Sequence, residues 1–265
     1  MKQRIITGVL AGALFIMMVI LGGFWFSLLV TILATIGMYE LLKMKQISIF
    51  SLPGLLGLIG TWVLVIPETW IETATSGIFS KIDLLFLGLL ILLTMTVLTK
   101  NRYTFDESAF VLMSGLYVGL GFYYLSATRL LDNGLYLIFF IIFLIWATDS
   151  GAYFIGKAIG KHKLWPHISP NKTIEGAVGG IVSAIIVAVI FHMINPIYDS
   201  MILVTLIAIF TAVFGQIGDL VESAFKRHYG VKDSGRLLPG HGGILDRFDS
   251  MIFVFPLLHL LHLIS

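Results

Sequence analysis

The stretch Ser223 to Asp249 reads SAFKRHYGVKDSGRLLPGHGGILDRFD. Its 27 residues hold five of the chain's 17 Lys/Arg, three of its 15 Asp/Glu and two of its seven His. Ionisable groups at this density between hydrophobic runs are expensive and mark function. Helical spacing extends the cluster backward. Asp219, Glu222, Ser223 and Lys226 fall at i, i+3, i+4 and i+7, which puts them on one helix face. Asp246 and Asp249 share a face at i and i+3. Carboxylates from two helices can hold a hard cation such as Mg²⁺ through oxygen, and Lys and Arg can hold phosphoryl oxygens. Three glycines around His241 let backbone approach a ligand closely. Internal ion pairs, such as Asp219–Lys226 and Asp249–Arg247, compete with this reading pair by pair. They do not account for the surplus cations and glycines of the whole cluster.

A second cluster runs from Asp149 to Glu175, through DSGAYFIGKAIGKHKLWPHISPNKTIE. Asp149 lies inside an apolar run, where a carboxylate needs a cation, a metal or a helix-to-helix hydrogen bond. Gly151, Gly156 and Gly160 permit either close packing or backbone approach to a ligand. Lys161, His162 and Lys163 would serve equally as a charged membrane anchor. Ser169-Pro170-Asn171-Lys172-Thr173 precedes a helix start, where free N–H groups favour anions. Ordinary capping is the competing account.

The elements that must position these groups are transmembrane helices. The 265 residues are 58% hydrophobic and only 12% charged, against roughly 25% charged in a soluble domain. Without cysteine, a disulfide, a thiolate metal site and a Cys nucleophile are excluded. A span needs about 20 mostly apolar residues, and nine are expected: 5–22, 24–42, 52–67, 83–99, 107–127, 134–156, 174–194, 201–224 and 244–264. The runs are continuously apolar, not alternating, which argues against a β-barrel. Lys2 and Arg4 ahead of the first run resemble a signal peptide, but Phe24-Trp25-Phe26 continues into apolar sequence without a cleavage site. With the N-terminus cytoplasmic, 15 of the 17 Lys/Arg fall in inside segments, leaving only Lys81 and Arg129 outside. The fold class is therefore an all-α polytopic membrane protein with its C-terminus outside. The polar loops 157–173 and 225–243 then face the cytoplasm. Residues 1–133 form an amino-terminal set of about five spans, and 134–265 a catalytic region. In the first of these, Glu40, Glu68, Glu72, Asp83, Asp106, Glu107 and Asp132 sit at span ends as caps and interface charges.

The polar residues of the first cluster resemble a known family, the phosphatidate cytidylyltransferases. The match runs without a gap through Ser223, Phe225, Lys226, Arg227, Lys232, Asp233, Gly235, Leu238, Pro239, His241, Gly242, Gly243, Ile244, Asp246, Arg247, Phe248 and Asp249. Asp149, Ser169, Pro170, Lys172, Thr173, Glu175 and Gly176 resemble that family's other polar motif. The resemblance implies transfer of the cytidylyl group of CTP to phosphatidic acid, giving CDP-diacylglycerol and pyrophosphate. It implies Mg²⁺, or Mn²⁺ in its place, with the number of cations left open. Asp219, Asp246 and Asp249 are then the expected metal ligands. Lys226 and His241 join them as catalytic candidates, His241 as a phosphate donor, an acid or a loop-fixing group. Lys172, Ser223, Arg227, Lys232, Arg247 and Asp149 are the expected substrate contacts. The partners implied are CTP, phosphatidic acid and membrane lipid, with no nucleic acid, and the assembly a homodimer. The location implied is the bacterial inner membrane with a cytoplasmic active site.

Two rivals differ in class. A secondary transporter would spread its polar residues along a path and often carry an internal repeat, whereas here they crowd one side. A CTP-dependent lipid kinase of the dolichol kinase type would transfer the γ-phosphoryl group, leaving no cytidine on the lipid.

Overall fold

Ten helices and one short hairpin make up the computed structural model, which describes residues 2–196, 198–237 and 239–264 and, of residues 2–5, only the backbone. The chain divides into two units, Met1–Ser126 with Asp233–Leu245, and Ala127–Lys232 with Asp246–Ser265.

In the first unit, α1 (Lys2–Leu21) and α2 (Gly23–Met44) meet at Gly22 and Gly23. Both glycines have positive φ, 63° and 49°, a region open to glycine without a Cβ penalty. Ser51 caps α3 (Leu52–Val65) by accepting from Gly54 N at 3.3 Å, with Pro53 in the first turn. Ile66 is extended ahead of Pro67, as a residue before proline should be. There the chain bends by 116° into α4 (Glu68–Ala74), a short helix absent from the sequence reading. Ser80 and Asp83 close a capping box at the start of α5 (Lys81–Leu98). The next helix, α6, spans Phe105–Arg129. Met38, Leu42, Leu92 and Val111 form a buried cluster joining α2, α5 and α6. Trp62 Nε1 donates to Thr35 Oγ1 at 2.8 Å, tying α3 to α2.

The second unit holds α7 (Gly134–Ile159), β1 (Lys163–Trp165), β2 (Ser169–Thr173), α8 (Ile174–Ile194), α9 (Met201–His228) and α10 (Leu245–Leu260). Small residues bring α7 and α8 together. A Cβ at Gly151 would overlap Ser183, and one at Gly176 would stand 2.7 Å from Ala152 O. Close backbone approach through small residues is how helices associate in lipid, where there is no hydrophobic drive between them. Ser250 Oγ donates to Gly215 O at 3.0 Å, fixing α10 on α9.

The all-α expectation holds, with one addition. Residues 157–173 are not an open loop: α7 runs on to Ile159, and β1 pairs antiparallel with β2. The 225–243 loop also starts later than expected, because α9 continues to His228 and carries Lys226 and Arg227 on its last turn. Among the described residues, six helices are long and apolar enough to span a membrane, or seven if the bent pair α3 and α4 is one span. Helices also cover the expected first and ninth spans, as α1 and α10.

Candidate active site

The polar residues of the second unit gather at three neighbouring places. The first is a cavity of about 450 Å³ lined by Asp149, Lys157, Asn171, Lys172, Gln216 and Asp219, among others. Its volume lies within the range of small-ligand sites, about 300–1,000 Å³. Gly156 and Gly176 form part of the wall, so the packing that joins α7 to α8 also shapes the cavity. Lys172 Nζ lies 2.6 Å from Asp219 Oδ2, linking the hairpin to α9. Ser223 Oγ donates to Asp219 Oδ1 at 3.3 Å, as the i, i+4 spacing predicts.

The second place is centred on Lys226. Its ammonium pairs with Glu222 one turn back and donates to Asp246 Oδ1 of α10 at 2.7 Å. The side chains of Glu222, Asp246 and Lys226 are 0%, 6% and 12% exposed, so water screens this triad little. Glu222 Oε1 is buried without a hydrogen-bond partner. Asp249 follows on α10, its Oδ1 accepting from Ser250 N at 2.6 Å. Asp249 is within electrostatic reach of Asp219 and Asp149, and Glu222 within reach of Asp246 and Asp249. Five carboxylates thus lie near one another.

The third place is the hairpin and its junction with α8. Glu175 accepts from the backbone N–H groups of Lys161 and His162 at 3.1 and 3.2 Å, and its Oε1 stands 2.6 Å from His162 Nδ1. Thr173 caps α8, accepting from Gly176 N at 3.1 Å. Capping therefore accounts for Thr173, while Lys172 beside it faces the cavity. Arg227 Nε donates to Ile168 O at 3.2 Å, joining the end of α9 to the hairpin turn.

Several expected site residues stand apart from these contacts. Lys232 is exposed, with no ion pair among the described residues. Arg247 is exposed, and its charge acts on Asp149 instead of pairing with Asp249. His241 belongs to the first unit, where its ring lies over Gly8 of α1 and its Nδ1 is buried without a hydrogen-bond partner. Leu238 of the family pattern lies outside the described residues. The ion pair weighed between Asp219 and Lys226 does not form: Lys172 takes Asp219, and Lys226 takes Glu222 and Asp246.

The cavity also includes Lys157 and Gln216, which the sequence reading did not single out for the site. Gln216 sits three residues before Asp219, so the helical face begun at Asp219 could have been continued one turn back. Its Nε2 donates to Ala212 O at 3.0 Å and to Ala177 O of α8 at 3.4 Å.

The donor set suits a hard divalent cation in kind and in charge: oxygen ligands, an acid surplus and one orphaned carboxylate oxygen. In this arrangement the ammonium groups of Lys172 and Lys226 hold Asp219 and Asp246. Among the described residues no three His, Asp or Glu converge at ligand distance.

An apolar helical body with acid and lysine groups collected in and around one cavity is the plan of a membrane-embedded phosphotransfer enzyme. The chain matches the cytidylyltransferase family over residues 2–265, and belongs to it. It is 51% identical over 262 residues to the phosphatidate cytidylyltransferase of Bacillus subtilis (strain 168), covering 98% of this chain and 97% of that one. The phosphatidate cytidylyltransferases of Staphylococcus haemolyticus (strain JCSC1435) and Staphylococcus saprophyticus are 46% and 47% identical over 264 residues, with 98% of each chain covered. The sequence resemblance, drawn from about a fifth of the chain, is thus borne out along its length.

Proposed function

We propose that this protein transfers the cytidylyl group of CTP to phosphatidic acid, forming CDP-diacylglycerol and pyrophosphate in phospholipid synthesis. The observation that carries the reading is the cavity of about 450 Å³ that gathers Lys157, Lys172, Asp149 and Asp219. A lipid phosphate oxygen attacks the α-phosphorus of CTP. The new P–O bond forms as the bond from the α-phosphorus to the α,β-bridging oxygen breaks, and pyrophosphate leaves with that electron pair. Both reactants are polyanions, so catalysis is mainly positioning and charge neutralisation.

In this reading Lys157 and Lys172 meet phosphoryl oxygens at the cavity, Lys172 leaving its carboxylate partner to do so. Lys226 holds Asp246 in place and offers its charge to the departing phosphates. Ser223 orients Asp219, and Arg227, Lys232 and Arg247 supply further positive charge for substrate. A divalent cation, Mg²⁺ or Mn²⁺, held by Asp219, Asp246 and Asp249 would polarise the α-phosphate and steady the pyrophosphate. His241 serves as a phosphate donor, an acid or a group that fixes its loop.

The charge distribution supports nine spans with the N-terminus and the site on the cytoplasmic side and the C-terminus outside, and the bacterial relatives favour an inner membrane. CTP then arrives from the cytosol while the acyl chains stay in the bilayer. The resemblance adds a homodimer.

The test is product analysis with purified protein, phosphatidic acid and CTP labelled separately in cytidine and in the γ-phosphate. Label from cytidine is expected in the lipid. Label from the γ-phosphate alone would make the protein a lipid kinase.

A further inference from the structure

Glu40 lies near the C-terminal end of α2, where the sequence suggests a solvated interface charge. The structure places it elsewhere: it is 2% exposed. One carboxylate oxygen accepts from Ser234 Oγ at 2.8 Å and from Leu245 N at 3.0 Å, and the other from Ile244 N at 2.9 Å. A buried carboxylate is costly unless hydrogen-bonded, and here these three donors come from one segment, 234–245. That segment carries the glycine-rich turn and ends where α10 begins. Ile244 and Leu245 directly precede Asp246, and free N–H groups at a helix start favour an anion.

The glycines give a second, independent sign. At Gly235 the three nearest atoms to an added Cβ would all be Glu40 atoms, and at Gly243 they would be Ser234 Oγ and both Glu40 oxygens. Neither glycine has a positive φ, so the backbone at both positions would accept an L side chain. The nearest atoms that a Cβ would meet are those of the Glu40 side chain and its serine donor. Two glycines of the family pattern are thus explained by a residue outside it.

We infer that Glu40 is a positioning residue of the transferase: it clamps segment 234–245 to α2 and fixes the backbone that leads into Asp246 and Asp249. The catalytic part of this inference rests on the proposed reaction; the clamp itself does not.

The experiment uses the full chain in detergent, comparing wild type with Glu40→Ala, Glu40→Gln, Gly235→Ala, Glu40→Ala/Gly235→Ala and a core control, Met38→Ala. Met38 is buried in α2 in the cluster with Leu42, Leu92 and Val111. Hydrogen exchange reads the clamp without reference to activity. In Glu40→Ala the amides of Ile244 and Leu245 should lose protection, and in Met38→Ala they should keep it. Initial rates read the positioning. In folded protein Glu40→Ala should lower kcat about 10- to 100-fold, the scale of a small misplacement of catalytic groups, with CTP KM changed far less. Glu40→Gln, which keeps one acceptor position, should fall between wild type and Glu40→Ala. Gly235→Ala should lose activity in the wild-type background and add no further loss to Glu40→Ala. If wild type makes no CDP-diacylglycerol, the proposed reaction fails and exchange alone decides the clamp. Unchanged exchange in Glu40→Ala overturns the clamp. Altered exchange with kcat unchanged, or lowered only as much as in Met38→Ala, overturns the positioning role. Additive losses for Glu40→Ala and Gly235→Ala also count against the clamp.

Discussion

Lys226 of α9 stands 2.7 Å from the Asp246 carboxylate of α10, and the same ammonium pairs with Glu222 on its own helix. One cation therefore serves two buried anions. Removing it leaves both uncompensated, which for buried pairs costs about 3–5 kcal/mol.

Lys226→Met should therefore lower thermal stability markedly and abolish turnover, by more than about a hundredfold, the scale of a lost electrostatic contact in a transition state. Adding Glu222→Gln removes one orphaned charge and should recover part of the stability. It should not recover turnover, because the cation is still missing. Thermal melts and initial rates of the single and double variants separate the two effects. Turnover that returns along with stability would reduce Lys226 to a structural role.

The acid surplus around Asp219, Asp246 and Asp249 predicts dependence on a divalent cation. Protein stripped with EDTA should be inactive, and Mg²⁺ should restore it. Asp219→Asn and Asp246→Asn should each lose most activity and need far higher Mg²⁺ for the remainder, since each loses an anionic ligand. Titrating activity against Mg²⁺ is the measurement. Near-normal rates with an unshifted midpoint in both variants would remove these residues from the metal.

What was legible in the sequence was what depends on local periodicity. The apolar runs gave the long helices, and helical spacing put Asp219, Glu222, Ser223 and Lys226 on one face, where Ser223 bonds Asp219 and Lys226 pairs with Glu222. Partners supplied by another element were not legible. The sequence offers no reason for Lys226 to choose Asp246, 20 residues on, over Asp219, seven residues back. Lys172 reaching Asp219 across 47 positions is equally silent. The hairpin was hidden because β2 is polar and contains Pro170, a residue tolerated only on a strand edge. In a sheet of two strands every outer side is an edge. Glu40 shows the limit most clearly. In sequence it resembles Asp83 and Glu107, which do cap helices. Only the return of the chain about 200 residues later gives it three buried donors.

The orientation of the chain can be read by thiol labelling, because the chain lacks cysteine. A single introduced thiol then reports without background. Ser76 and Asn101 are both exposed and lie on successive turns, one before α5 and one after it. At 18 residues α5 is long and apolar enough to cross a membrane, and if it crosses, the two positions lie on opposite sides. The charge bias puts Ser76 outside and Asn101 inside, beside Lys100 and Arg102. In intact cells a membrane-impermeant maleimide should label Ser76→Cys and spare Asn101→Cys until the cells are lysed. The opposite pattern would turn the whole topology over, placing the hairpin and its lysines away from cytosolic CTP. Labelling of both in intact cells would mean that α5 does not cross.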